Sequence, residues 1–222
     1  MYFVLFISVA LLSWAVSALL DHRFKKYAKV YLPLTGREVA EKMLRDNGIY
    51  DVQVTCTPGH LTDHYDPRNK TVNLSEAVYS SNNVAAAAVA AHECGHAVQH
   101  AFSYAPLNMR SALVPVVNFA SQWVTWILLG GILMVETFPQ LLLVGIILYA
   151  LTTLFAFITL PVEINASRRA IAWLEQSGIT DYQTTPMASS ALRSAAYTYV
   201  VAALSSLGTL IYYILIFTSR RD

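Results

Sequence analysis

The sequence predicts a mainly α-helical membrane protein with about four transmembrane helices and a small β-hairpin or sheet in a polar region after the first helix. Two observations support this fold class. Of the 222 residues, 55% are hydrophobic and only 13% are charged, whereas soluble domains usually carry about 25% charged residues. Four apolar stretches also approach the roughly 20 residues that a helix needs to cross a bilayer. The net charge of +1 gives no reason to expect nucleic acid as a partner, and the composition indicates the lipid bilayer instead.

The apolar stretches divide the chain into membrane and polar segments. They lie at residues 2–20, 113–134, 141–160 and 197–217. The predicted segments are transmembrane helix 1 (1–21), a polar region (22–111), transmembrane helices 2 and 3 (112–160), a helix and loop (161–194), and transmembrane helix 4 with a tail (195–222). A cleaved signal peptide is the alternative for the first stretch. That stretch is longer than the roughly 7–15 apolar residues of such a signal, and positive charge follows it rather than precedes it.

The distribution of basic residues predicts which side of the membrane each segment faces. Ten Lys and Arg residues lie from Arg23 to Arg110, and none lies in the short turn at 135–140. Because cytoplasmic loops carry an excess of Lys and Arg, we expect the polar region inside and the turn outside. Arg220 and Arg221 would then lie outside, which counts against four complete spans. The prediction is a multi-pass protein of the cell membrane with its polar region in the cytoplasm.

The polar region shows patterns of both helix and strand. Thr35 fits the N-cap of an amphipathic helix that Asn47 and Gly48 would end. Residues 49–57 alternate between apolar and polar as a strand does, and residues 64–74 predict a hairpin. An alanine-rich run then favours a further helix, since alanine has the highest helix propensity.

This alanine-rich helix carries the sequence His-Glu-Cys-Gly-His at residues 92–96. Two histidines four residues apart lie on one face of a helix, so His92 and His96 can bind the same zinc ion. Glu93 lies beside that face and can act as the general base on a zinc-bound water, which is the arrangement of a metallopeptidase. Two histidines packed in a protein core are the alternative. Cys94 is on the opposite face and is expected to pack, and His100 is about 12 Å from His92 along the helix, too far to share its ion.

A catalytic zinc needs a third protein ligand, and Glu163 is the best candidate. It follows the third apolar stretch on the same predicted side of the membrane as the two histidines. A carboxylate so close to an apolar run is costly unless it is paired or bound to a metal. The alternatives are a salt bridge between Glu163 and an arginine, or a third ligand from His60 or His64.

The order of these motifs resembles that of the membrane gluzincins, which include the heat-shock and prenyl-protein membrane proteases with their E-x-x-A-D segment. It is most similar to the YugP-like family of zinc-dependent membrane metallopeptidases, and the likeness covers nearly the whole chain. The resemblance implies a zincin-like fold, one zinc ion and an endopeptidase that acts on membrane or membrane-proximal proteins. Ala166 matches the segment, but Ser167 stands where its Asp would be. Asn165 or Ser167 is therefore expected to orient a ligand histidine instead.

The transition state of peptide hydrolysis needs a further hydrogen-bond donor for the oxyanion. Tyr197, Tyr199 and Arg193 are candidates, because the last helix returns to the same face of the membrane. The alternative for the tyrosines is a place in the aromatic belt at the membrane surface.

Many zincins bind the substrate as an added strand. The strand predicted from Lys70 to Leu74, which includes Val72, is expected to offer this edge, with His64 and Tyr65 beside it. A plain structural hairpin is the alternative. Two other functions remain open at this stage: a metal transporter, which would hold its ligands at the middle of the bilayer, and a scaffold that keeps zinc for stability alone. The sequence does not indicate an oligomeric state.

Overall fold

The structure is a computed structural model that describes the backbone of residues 2–219 and the side chains of residues 6–219. Arg220 and Arg221, which bear on the orientation, lie outside the described residues. The helices are α1 (Tyr2–Tyr27), α2 (Gly36–Asp46), α3 (Glu76–Tyr79), α4 (Val84–Ala101), α5 (Ala105–Leu133), α6 (Pro139–Gln176) and α7 (Thr184–Thr218), and the strands are β1 (Gln53–Thr57), β2 (His64–Asp66) and β3 (Thr71–Ser75).

Four helices of the described chain, namely α1, α5, α6 and α7, are long and apolar enough to cross a membrane. The predicted fold class is confirmed: the protein is mainly helical, with four candidate spans and a small sheet. All four helices are longer than the apolar stretches predicted for them. Helix α7 begins at Thr184, well before the apolar stretch at 197–217.

Helix α6 continues for 38 residues through Pro161, where the sequence analysis had separated a span from a following helix. A proline inside a helix removes one backbone hydrogen bond and usually ends or kinks the helix. Pro161 itself is exposed, but Ile158, Thr159 and Val162 beside it on the same helix are buried. Packing against neighbouring helices is the general reason why membrane helices tolerate proline. As a result, the span and the segment that carries Glu163 form a single rod.

Helix α4 lies inside the protein rather than on its surface, and most of its residues are buried. Its alanines leave room for α2, α6 and α7 to pack closely around it. The side chain of Asn83 caps its first turn by accepting a hydrogen bond from the backbone N–H of Ala86 at 2.9 Å. Helix α2 buries its apolar face against α4, and Thr35 and Glu38 form the reciprocal capping box that begins it.

The sheet has the strand order β1-β3-β2. Strand β2 is antiparallel to β3, which confirms the predicted hairpin, and β1 is parallel to β3. The prediction that the strand from Lys70 to Leu74 forms the substrate edge is wrong. Strand β3 has partners on both sides, and Val72 is fully buried. The sequence pattern could not show that β1 would cover the second side of β3, so the free edges of the sheet belong to β1 and β2.

Candidate metal centre

Helices α4 and α6 approach each other closely at Gly95 and Ala166. A Cβ atom placed on Gly95 would lie 2.7 Å from the backbone oxygen of Ala166 and 3.1 Å from its Cα. Only glycine therefore fits at this crossing without a shift of one helix. The contact lies between His92 and His96 on α4 and one turn beyond Glu163 on α6, so it determines how near the three side chains come.

The three predicted ligands converge in the structure. Oε2 of Glu163 lies 3.3 Å from Nε2 of His92 and 3.6 Å from Nε2 of His96. Two ligand atoms bound at 2.0–2.1 Å to a tetrahedral zinc ion are about 3.3–3.4 Å apart, so these spacings suit that ion. The ligand atoms all lie within 4.8 Å of one another, and neither His60 nor His64 belongs to this group.

Oε2 of Glu163 supports the same assignment. The side chain is 3% exposed, and this oxygen is buried without a hydrogen-bond partner. Such an atom is costly unless a cation lies beside it. The other oxygen, Oε1, lies 3.5 Å from Nη1 of Arg110 on α5. The arginine salt bridge considered from the sequence thus exists, but it involves Oε1 and leaves Oε2 to the histidines.

Gln99 determines the tautomer of His96. Its Nε2 donates to the carbonyl of Val162 at 2.8 Å and to Oδ1 of Asn165 at 3.0 Å. Because a carbonyl can only accept, the amide oxygen of Gln99 must face Nδ1 of His96, 3.1 Å away. Nδ1 therefore carries the proton, which leaves the lone pair of Nε2 directed toward Glu163. A metal-binding histidine is normally held in this way.

Ser167 contacts the other ligand histidine: its Oγ lies 3.1 Å from Nδ1 of His92, and the hydroxyl can accept from or donate to that nitrogen. The serine thus stands in the place where an aspartate was expected and still offers an oxygen. Asn165 contacts Gln99 rather than a histidine, and its Oδ1 also accepts from Arg169. Of the two residues predicted to orient a ligand, Ser167 contacts one directly and Asn165 acts through Gln99.

The charge around His96 favours a cation. Burial lowers the pKa of His96, but the carboxylate of Glu163, 3.6 Å away, and the charge of Glu93 outweigh burial and raise the pKa overall. The same negative surroundings that stabilise a protonated imidazole would stabilise a zinc ion in its place.

Two of the three ligands, His92 and Glu163, line a cavity of about 160 Å³. Glu93 lines it, next to His92 and Glu163, and makes no salt bridge to any residue that the structure describes. Helix α7 contributes Tyr199 to the same cavity lining. The cavity can therefore hold a water molecule or a peptide carbonyl between the ligands, the carboxylate of Glu93 and a phenolic hydroxyl.

Tyr197 and Arg193 are exposed and do not line this cavity. Their assignment as oxyanion donors stays a prediction, and Tyr199 is better placed than either. The sequence analysis missed Gln99 and Arg110. Gln99 lies three residues after His96, a spacing that could have indicated it, whereas nothing in the sequence connects Arg110 with Glu163.

The residues expected near the substrate edge are partly structural. The hydroxyl of Tyr65 lies 2.9 Å from Nδ1 of His100, which ties strand β2 to α4 and gives His100 a structural role. His64 is hydrogen-bonded through Nδ1 to the carbonyl of Thr62 at 2.7 Å. Lys70 forms an ion pair with Asp51 at the surface. Strand β2, with His64 and Tyr65, is the edge that faces α4.

Cys94 lies on the far side of α4 from the histidines. It is fully buried, and its Sγ donates to the backbone oxygen of Ala40 at 3.5 Å. Burial, and to a lesser extent the charge of Glu93, raises the pKa of this thiol, which is therefore protonated and inert. The other cysteine, Cys56, is exposed.

Comparison with known proteins places the whole arrangement in one family. Residues 2–218 match the family described as "Putative neutral zinc metallopeptidase". A curated protein of Bacillus subtilis (strain 168), "Putative membrane protease YugP", is 44% identical over 201 residues, which cover 90% of this chain and 88% of that protein. No solved structure matches the chain.

Proposed function

The chain belongs to this family of neutral zinc metallopeptidases, and from that premise we propose that it is a zinc-dependent endopeptidase of the gluzincin type. His92, His96 and Glu163 would hold one zinc ion, and Glu93 would serve as the general base. The observation that carries the proposal is the buried oxygen of Glu163, which has no hydrogen-bond partner and lies at ligand spacing from both histidines.

The residues of the chain have distinct tasks in this reaction. When bound, zinc would polarise the scissile carbonyl and lower the pKa of a ligand water toward about 7. Glu93 accepts the proton of that water and passes it to the nitrogen of the leaving amine. Gln99 keeps the lone pair of His96 directed at the site, and Ser167 holds the ring of His92 in place. Tyr199 donates from the cavity wall to the oxygen that gains negative charge.

The position of Glu163 along α6 supports substrates at the membrane surface. From Pro139 to Glu163 the helix rises about 36 Å, at 1.5 Å per residue, whereas the hydrocarbon core of a bilayer is about 30 Å thick. The stretch from Tyr199 to the end of α7 at Thr218 is similar, at about 29 Å. The site would thus lie at the boundary between lipid and water, on the cytoplasmic side if the charge distribution sets the orientation. Membrane proteins and membrane-proximal segments of other proteins are therefore the proposed substrates.

Replacement of the general base tests this proposal. We expect Glu93→Gln in the purified full-length protein to keep its zinc and to lose peptide hydrolysis by about 10²–10⁴-fold or more, because general acid–base catalysis is worth that range. Zinc is measured by metal analysis, and hydrolysis with a library of internally quenched peptides. Glu175→Gln, the same change at an exposed position of α6, is the matched control.

The alternatives predict other results. A scaffold or a metal transporter would show no hydrolysis by the wild type, and a transporter would show altered metal flux in the variant. Activity of Glu93→Gln within a few-fold of the wild type would eliminate Glu93 as the base. In a separate variant, His96→Ala, a full equivalent of zinc would contradict the ligand set.

A further inference from the structure

A second and larger cavity, of about 460 Å³, adjoins the cavity at the metal centre. Leu20, Phe24 and Leu61 line both. The two volumes are therefore neighbours that share these three side chains, two from α1 and one from the loop before β2. We call the larger volume the α1 cavity.

The α1 cavity follows the helix that carries the metal-binding histidines. Ala86 lines the α1 cavity, whereas Val89 and Glu93 line the cavity at the metal centre. These residues are three and seven positions apart, so they share one face of α4. The distance from Glu93 back to Ala86 is about 10.5 Å along the helix axis, at 1.5 Å per residue. An extended peptide covers that distance in about three residues.

The walls of the α1 cavity suit an apolar guest. Most of its lining side chains are apolar or small, among them Leu20, Phe24, Ala28, Ala77 and Ala86. Its charged members, Asp21 and Lys25, neutralise each other through a 2.7 Å ion pair whose side chains are largely exposed. No uncompensated charge of the described wall would therefore select a charged guest, and a space bounded by small side chains leaves room for a large one.

Leu61 stands at the junction of the two cavities. Its backbone has a φ of +59°, a conformation that branched and bulky residues rarely adopt, and its side chain is 63% exposed. The loop that carries it is held on both sides. The hydroxyl of Thr62 donates to the carbonyl of Pro58, and the carboxylate of Asp63 accepts from the backbone N–H of Ser75 at 2.7 Å. The loop thus keeps an apolar side chain at the junction in spite of its exposure.

We propose that the α1 cavity is a subsite of the peptidase that takes an apolar side chain of the substrate, two or three residues from the scissile bond. This inference rests on the proposed function, because it assigns the position of the scissile bond to the metal centre. The continuity of the cavities along α4, the spacing of about three extended residues and the apolar lining carry it.

The test uses the full chain in lipid nanodiscs and a set of quenched peptides that differ at one position. The scissile bond is first located by mass spectrometry, and the residues two and three positions from it are then varied among Leu, Ala and Asp. Wild-type kcat/KM should be at least about tenfold higher for Leu than for Asp at one of these positions.

Two variants reduce the space or change its polarity. Ala77 is an exposed residue of the cavity wall. Ala77→Trp should lower kcat/KM for the Leu peptide by about tenfold, whereas kcat/KM for the Ala peptide should stay within about threefold of the wild-type value. Ser80→Trp, at an exposed position that does not line the cavity, is the matched control and should leave both peptides unchanged. Leu61→Asp should lower kcat/KM for the Leu peptide and raise kcat/KM for an added peptide with Lys at the same position.

Binding is measured separately, by fluorescence anisotropy of the same peptides with zinc-loaded Glu93→Gln. The Leu peptide could bind, and Ala77→Trp could weaken that binding, while the wild type cleaves no peptide. This result would support the binding site and refute the peptidase activity. If all peptides of the set are cleaved with the same kcat/KM, the result would support the peptidase activity and overturn the subsite. Equal losses for the Leu and Ala peptides in Ala77→Trp would also overturn it.

Discussion

The glycine of the metal-binding motif offers a direct test of how helix packing positions the ligands. Gly95→Ala adds one methyl group that would lie 2.7 Å from the backbone oxygen of Ala166, whereas ordinary contacts of a Cβ begin at 3.4 Å. Relief of the overlap requires the helices to separate by about 0.7 Å. Zinc–ligand distances tolerate only about 0.2 Å of deviation, so Glu163 could no longer reach the ion together with both histidines.

The expected loss of zinc affinity follows from the cost of such crowding. An added methyl in a packed interior costs about 1–3 kcal/mol, and every 1.4 kcal/mol corresponds to a factor of ten. We therefore expect the zinc Kd of Gly95→Ala to rise about 5- to 140-fold, measured by competition with a chelator of known affinity. Peptidase activity at limiting zinc should fall in parallel.

Two other glycines serve as matched controls. A Cβ on Gly130 would meet only a side-chain carbon of Leu141 at 3.4 Å, so Gly130→Ala should leave both stability and zinc binding unchanged. A Cβ on Gly131 would lie 2.6 Å from the backbone of Leu142, far from the ligands, so Gly131→Ala should lower stability without a specific loss of zinc. A zinc Kd for Gly95→Ala within twofold of that for Gly130→Ala would refute the reasoning.

Two further predictions concern the support of the ligands and the orientation of the chain. Gln99→Leu removes the acceptor that fixes the ring of His96 and should weaken zinc binding about 10- to 100-fold, measured in the same chelator assay; unchanged affinity would eliminate this role. A membrane-impermeant thiol reagent applied to intact cells should label a cysteine placed at Thr137 and should not label Cys56. In permeabilised cells the reagent should label Cys56, while the buried Cys94 stays unreactive. Labelling of Cys56 from outside would reverse the predicted orientation.

The parts of the site that sequence could predict are those encoded by regular spacing. His92 and His96 share a helix face by their separation alone, and Glu163 was indicated by its place after an apolar stretch. Gly95 was visible only as a small residue, because its importance depends on the backbone of Ala166, 71 positions later in the sequence. Arg110 could not be found at all, since its pairing with Glu163 exists only once α5 and α6 are packed.

The errors have a similar origin. The third span was predicted to end at residue 160, but α6 continues through Pro161 to Gln176, a length that the apolar pattern alone does not indicate. Strand β3 was recognised as a strand, yet its place in the middle of the sheet depends on a parallel partner that local alternation does not specify. The sequence could not show which tyrosine of α7 lines the cavity at the metal centre. Tyr197 and Tyr199 lie on the same helix, and only the packed orientation of α7 brings Tyr199 into the cavity wall.

Because α6 is continuous through Pro161, a tilt of the membrane-spanning part of the helix also moves the third ligand, Glu163. Glu163 lies about 36 Å from the far end of the helix, so a tilt of one degree about that end would displace it by about 0.6 Å, more than a zinc site tolerates. Membrane helices change their tilt when bilayer thickness changes. The close contact between Gly95 and Ala166 makes α4 move together with α6, so the distances between the two histidines and Glu163 are preserved when α6 tilts. Zinc affinity of the wild type should therefore be insensitive to the length of the lipid chains, whereas that of Gly95→Ala should vary with it.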